Sequence, residues 1–202
     1  SSDQNLILLN GAPVYNSSHL FGFFSAVNPD IIKDVTLYKG GIPGRFGGRV
    51  SSVLDISSRD GNRAKITGNA GISPITTHLT IEGPIKKDKC TFILGGRTTY
   101  SNWIFKLIND PSLKQSKASF YDLNCKINYD INKNNKVDFS AYLSKDSFRF
   151  SSDTTYSYEN SILALNWKQF FNKRLFFALA LNNSYYRYYI SGYGNDLESF
   201  IL

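Results

Sequence analysis

The sequence predicts a mostly β protein: a small α/β unit followed by a long run of antiparallel strands that form part of a membrane-spanning β-barrel. Three observations carry this. A turn over residues 39–49 holds Gly40, Gly41, Gly44, Gly47 and Gly48 and joins two strand-like segments, 32–38 and 50–57. From residue 64 onward, apolar and polar residues alternate with the period of two expected of strands whose faces differ. The links between those strands mostly alternate between tight turns and longer loops, as in membrane barrels.

Composition narrows the alternatives. Of 202 residues, 42% are hydrophobic and 19% charged, with 13 Tyr, 15 Phe and 2 Trp. No apolar run approaches the roughly 18–20 residues of a membrane helix. The net charge of +7 invites a nucleic-acid reading. The Lys and Arg, however, are scattered or sit in turns such as 86–89 and 172–174, and no basic stripe forms, so nucleic acid is not expected as a partner. The two cysteines, Cys90 and Cys125, are 35 residues apart and lie in no metal-binding spacing. Both read as small apolar residues on the outward face, without a disulfide. No cofactor or metal site is expected.

In chain order, residues 5–9 form a short apolar strand closed by Asn10-Gly11, a turn signal. His19-Leu20-Phe21-Gly22-Phe23-Phe24 is unusually aromatic for a loop: it either packs beneath the sheet or presents a binding apex. Asn28-Pro29-Asp30 reads as a helix start, with Asn as the cap and Pro at the first position. That helix has room for only one or two turns before the β-like residues 35–38. The glycine turn lacks G-K-[ST] and opens no helix, so it is not a phosphate loop. Arg59-Asp60-Gly61-Asn62-Arg63 reads as a polar hinge, which divides the chain into residues 1–60 and 61–202.

Beyond the hinge, residues 120–131 place Tyr121, Leu123, Cys125, Ile127, Tyr129 and Ile131 on one face. Asp122, Asn124, Lys126, Asn128 and Asp130 lie on the other. Three charges and two amides on one strand face suit a solvated lumen. Residues 137–144, 163–168 and 175–184 repeat the design. Seven strands are predicted, at about 64–72, 76–84, 90–100, 119–131, 136–149, 158–170 and 175–190. Several exceed the globular norm of about 5–6 residues and fit a tilted membrane span. No closing strand is expected after them. Trp167, Phe170 and Phe171 bracket a tight turn, and Tyr185, Tyr188 and Tyr189 end a strand, where interfacial aromatic girdles lie. His78 reads as a solvated wall residue.

The segments LILLNGAPVY (6–15), NPDIIKDVTLYKGG (28–41) and RFGGRVSSVLDI (45–56) resemble the plug domain of TonB-dependent outer-membrane receptors. In that family a strand leads to D/N-G-x-P-V, then a short helix, then I-x-x-V-x-x-x-(R/K)-G, Y/F-G and a final strand. The likeness covers residues 4–58. It implies that residues 1–60 are the C-terminal part of a plug and that the following strands begin a barrel of roughly 22 strands. It further implies a ligand-facing plug apex at Asn16, His19, Phe21, Phe23 and Phe24. Arg45 and Arg49 would pair with wall acids, Glu82 being the nearest in sequence. The implied partners are the rest of the barrel, outer-membrane lipids and a TonB complex engaged through a segment ahead of Ser1.

The function expected on that likeness is energised uptake of a scarce solute (a siderophore, vitamin, oligosaccharide or peptide), with the plug gating the lumen. Two alternatives stand beside it. One is a non-transporting receptor or scaffold, docked for example to a surface lipoprotein. The other is a soluble β-rich binding module. No Ser/His/Asp, Cys/His or paired-carboxylate arrangement points to an enzyme.

Overall fold

A computed structural model describes residues 4–47, 51–110, 114, 116–149, 154–192 and 197–201. The N-terminal unit contains β1 (Asn5–Leu9), β2 (Ala12–Pro13), β3 (Ser18–His19), β4 (Phe24–Ser25), β5 (Ile32–Tyr38) and β6 (Ser52–Ser58). Four of these make a mixed sheet in the order β2-β1-β6-β5, with β1 and β6 parallel; β3 and β4 pair separately. Asn10 (φ 52°) and Gly11 (φ +88°) both turn left-handed between β1 and β2, the conformation that makes Asn-Gly a two-residue hairpin signal.

The remainder is one antiparallel sheet in strict chain order. It comprises β7 (Thr67–Ile72), β8 (Thr76–Lys86), β9 (Cys90–Thr99), β10 (Lys117–Asn132), β11 (Asn135–Arg149), β12 (Thr155–Phe170), β13 (Phe176–Ser191) and β14 (Leu197–Ile201). One helix, α1 (Asn102–Leu107), lies between β9 and β10. No helix among the described residues is long and apolar enough to cross a membrane.

Two expectations, seven strands and an open loop after β9, are corrected, and two further readings are made specific. The wall sheet has eight strands, because Leu197–Ile201 pairs antiparallel with β13. The segment after Asn28 is a single 3-10 turn, Pro29–Ile31; the Asn28 side chain accepts from the Asp30 N–H, and the chain is extended again at Ile32. The loop expected at 101–118 carries α1. Of the five turn glycines, Gly41 alone among the described residues takes positive φ, while Gly40, Gly44 and Gly47 stand in open space and Gly48 lies outside the described residues.

The wall is built inside out relative to a soluble sheet. Leu123 is 54% exposed while its neighbour Asp122 is 0% exposed. Leu79, Leu94, Leu143, Leu163 and Leu181 are exposed, whereas Thr91, Asn128, Ser140, Ser144 and Asn160 are buried. On β10 the outward apolar row runs from Tyr121 to Tyr129, about 27 Å along the strand and about 20 Å once tilted by ~40°. The buried polar face is covered by the N-terminal unit. Leu9, Ala12, Val14, Ala26, Val27, Ile31 and Ile56 form one cluster with the wall residues Ile93, Tyr142, Ile162 and Ala164.

Candidate functional site

The N-terminal unit meets the wall through polar contacts at two levels. The upper level centres on His19, which β3 places against β10 and β11. Its Nδ1 lies 2.7 Å from Asp146 Oδ2, and its Nε2 lies 3.3 Å from the Ala26 carbonyl and 3.7 Å from Asp122 Oδ2. The ring stacks on Phe120 with centroids 4.2 Å apart. Arg97 donates from Nε to Asp122 at 2.7 Å and from Nη2 to the carbonyls of Ser25 (2.8 Å) and Ala26 (3.2 Å). Tyr142 donates its hydroxyl to Ala26 O at 2.9 Å, and the Leu20 N–H reaches Asp146 Oδ1 at 3.3 Å.

Each nitrogen of His19 is thus engaged, Nδ1 by Asp146 and Nε2 by the Ala26 carbonyl and by the Tyr142 hydroxyl at 3.5 Å. Beside the ring, the Arg97 guanidinium pairs with Asp122 at 2.6 Å. The group is nearly sealed from solvent. Charges so buried are tolerated only when paired and hydrogen-bonded, and removing one partner leaves the others uncompensated.

The lower level lies where the hinge leaves β6. Arg59 bonds Glu82 at 2.6 Å and the Asp30 carbonyl at 2.7 Å. Lys126 donates to Ser58 O and Asp60 Oδ1, both at 2.8 Å. Arg63 reaches Asp130 at 2.6 Å. Its guanidinium is raised above its ordinary value, chiefly by the hydrogen bond to Asp130, so the hinge end of this contact keeps its charge. Gly61 presses against β9, where an added Cβ would fall 2.0 Å from the Phe92 carbonyl oxygen.

Between the two levels, wall side chains grip the main chain. Asn166 donates to Asn10 O (3.3 Å), Asn182 to Gly11 O (3.1 Å) and Ser184 to Pro13 O (2.8 Å). With Arg97, Lys126 and Tyr142, that makes six wall side chains, among the described residues, donating to carbonyls of the N-terminal unit. Such contacts depend on where the backbone runs, so water can take over each donor when the two parts separate.

The structure places the sequence-predicted site residues as follows. His19 is fully buried in the joint rather than presented to a ligand, because two wall carboxylates and Phe120 enclose it. Phe24 packs on Phe120 at 5.3 Å, and Asn16 bonds Asn160 through its backbone N–H at 3.4 Å. Phe23 stands 84% exposed; Phe21 lies in the turn Leu20–Gly22. Glu82 pairs with Arg59, while Arg45 bonds the Tyr38 hydroxyl and covers the Phe46 ring; Arg49 lies outside the described residues. Register decides this, since Arg59 follows the last residue of β6 directly and Glu82 faces the interior from β8. Trp167, Tyr185 and Tyr189 share the outward face, where Trp167 bonds Asn135 and meets Phe177 edge-on. Phe170 and Phe171 are exposed at the turn. Tyr188 belongs to the inward face and stacks on Tyr158 at 4.9 Å.

That last contact exposes a feature missed by inspection of the sequence. Phe148, Tyr156, Tyr158 and Tyr188 form an inward aromatic ladder, with Phe148 5.0 Å from Tyr156 and 5.7 Å from Tyr158. It begins opposite Asp146 and rises toward the long-loop end of the wall, and Tyr15 of the N-terminal unit lies 6.1 Å from Tyr186 beside it. The signal was the even spacing of Tyr156 and Tyr158, in phase with inward Asn160 and Ile162.

No family model matches the chain, and no curated protein matches it either. Solved structures do. The siderophore receptor PirA from Acinetobacter baumannii is similar at TM-score 0.68 and 15% identity, over 98% of this chain and 36% of that one. PirA from Pseudomonas aeruginosa is similar at TM-score 0.65 and 15% identity, over 98% and 35%. A mutant ferric enterobactin receptor, PfeA, from Pseudomonas aeruginosa in complex with enterobactin is similar at 0.52 and 13%, over 93% and 39%. The chain thus has the plug-and-wall fold of these receptors and spans a little over a third of their length.

Proposed function

We propose that a chain with this fold is the plug end and first wall strands of an outer-membrane receptor for energised solute uptake. A TonB complex would act from the periplasm and the plug would gate the lumen. The observation that carries the reading is the inside-out wall: its apolar face is bare, while its polar face is buried against a separate unit held by ion pairs, by hydrogen bonds to main-chain carbonyls and by one shared apolar cluster. The hydrogen-bonding groups of that contact can be satisfied by water once a directed pull unseats the obstruction, so the cost that remains is exposure of the apolar cluster around Ile93, Tyr142, Ile162 and Ala164. The division near residue 60 is the joint about which such a pull acts, and Arg59, Arg63 and Lys126 anchor it.

The solute approaches from the long-loop end. Phe23 and the ladder of Phe148, Tyr156, Tyr158 and Tyr188 offer ring faces there, which favour flat or aromatic ligands. The three similar structures named above are of siderophore receptors, so a ferric siderophore is the first candidate.

The test is accumulation of radiolabelled iron from a panel of siderophores by cells with and without the gene, with and without a protonophore. Uptake of at least one chelate that needs both the protein and the energised membrane is expected. Accumulation that never depends on the protein would overturn uptake in favour of a scaffold. Uptake that persists under the protonophore would remove the TonB step.

A further inference from the structure

We infer that the three tight turns of the wall form a basic rim that gathers anionic phospholipid headgroups of the inner, periplasmic leaflet; this rests on the outer-membrane placement proposed above and not on transport. Along the sequence these cations are scattered. The strict antiparallel order of β8–β13 brings residues 86–89, 132–135 and 170–175 to one edge of the sheet. Lys86, Lys87 and Lys89 lie at the first turn, Lys133 in the second, and Lys173 and Arg174 in the third, all of them exposed. Turns two strands apart are separated by about 10 Å, about one Debye length at 0.1 M salt, so the six act as one field. None of the six has an ion-pair partner among the described residues. The carboxylates at this end are few and mostly engaged. Asp60 pairs with Lys126, while Asp130 and Asp138 face inward and are bonded by Arg63 and Asn128. That leaves Asp88 in the first turn, so six cations meet one carboxylate, against a net charge of +7 for the whole chain.

The rows above the rim say what it faces. On the outward side, Ile127, Phe139 and Leu165 are aligned by register, and the next row toward the turns is Tyr129, Val137 and Trp167. Asn135 and Gln169 pair below that, and the cations of the turns follow. Trp167 directs its Nε1–H down to Asn135 Oδ1 at 3.2 Å. Apolar, aromatic, amide and cationic groups in that order follow the depth profile of a leaflet boundary, from acyl chains through the interface to the headgroups. A lysine at the last level keeps its stem beside the apolar rows and its ammonium among phosphates. Phosphodiester oxygens accept from ammonium and guanidinium alike, and each cation near an anionic leaflet adds to the attraction. The rim is a line of charge along roughly 20 Å of sheet edge, which matches a row of headgroups rather than one compact partner.

The experiment reconstitutes the full receptor, with a fluorophore at Gln169→Cys, into phosphatidylethanolamine vesicles. These carry a minor fraction of brominated lipid, either phosphatidylglycerol or phosphatidylethanolamine. The ratio of quenching by the two reads the local enrichment of anionic lipid. A ratio of roughly two or more is expected at low salt, falling toward one in 0.5 M salt as screening shortens to a few ångströms. Lys173→Gln with Arg174→Gln should lower it, and adding Lys86→Gln, Lys87→Gln and Lys89→Gln should bring it near one. Lysine-to-arginine changes at the same positions should preserve it. Lys145→Gln, roughly 30 Å away along β11, should leave it unchanged. Each variant is checked for heat-modifiable mobility, and the salt dependence of the wild type decides the case if a variant fails to fold. A wild-type ratio of one, or a ratio indifferent to salt and to the turn lysines, overturns the rim and leaves the uptake reading standing. A ratio of one together with binding to purified cell-wall sacculi that the same variants abolish overturns the lipid in favour of an anionic polymer. Quenching by neither lipid overturns the membrane placement as well.

Discussion

His19 is where one residue decides most. Its ring fills the space between Asp146, Asp122 and Phe120, and both its nitrogens are engaged. Asp146→Ala should therefore cost about 3–5 kcal/mol of plug seating, read as a fall of about a hundredfold or more in hydrogen-exchange protection at the Leu20 amide. His19→Leu combined with Asp146→Leu should recover most of that loss, because an apolar pair leaves no charge unpaired. Gly61 gives a second contrast. Gly61→Ala meets the Phe92 carbonyl and should lose on the order of 3 kcal/mol. Gly44→Ala, with nothing within 4 Å of the added Cβ, should change stability by less than about 0.5 kcal/mol; denaturant titration of both variants checks the pair. These partnerships were not legible in the sequence. His19 and Asp146 lie 127 positions apart, and no local pattern distinguishes a buried imidazole from one facing a ligand. Arg45 was likewise expected to pair with a wall acid such as Glu82, whereas among the described residues it is Arg59, directly after β6, that bonds Glu82.

At the scale of the strand, most of the wall could be read in advance, because alternation is a local property and a slip of one residue would turn every leucine inward. Residues 120–131 announced both faces of β10 correctly, and the tight turns fell where Lys and Asn cluster. Two elements escaped. β14 is five residues long, too short for a period to emerge, and is recruited by the edge of β13. The short α1 has no side-chain cap bond at Ser101 and no buried residue, so neither a stop signal nor an apolar stripe marked it. The same alternation yields a prediction. Leu143→Arg and Leu163→Arg, on the lipid-facing belt, should each destabilise the protein by about 2–4 kcal/mol in a bilayer, whereas Ser157→Arg, on the same face of β12 but toward the long-loop boundary, should cost about 0–1 kcal/mol. Urea titration of the receptor refolded into vesicles gives these differences, and equal costs at the three sites would contradict a membrane belt.

For the whole molecule, the plug and wall fold as complements: neither face of their contact is complete without the other. The plug motifs were legible because hairpin, cap and glycine turn leave local signatures. The six donors that reach its carbonyls were not, since a carbonyl carries no side-chain identity. If this joint is the gate, Arg97→Lys should loosen it, because an ammonium cannot reproduce the planar fork that spans Asp122 and two carbonyls. Plug amides near Ala26 should then exchange faster, while amides of β11 and β12 keep their protection. The most direct measurement of the central claim is depth quenching of a fluorophore attached at Leu163→Cys and, separately, at Ala164→Cys in the receptor reconstituted with brominated lipids. The account predicts strong quenching at 163 and almost none at 164, which faces the plug. Equal quenching at both positions, or none at either, would contradict a lipid-facing wall closed from within by a plug.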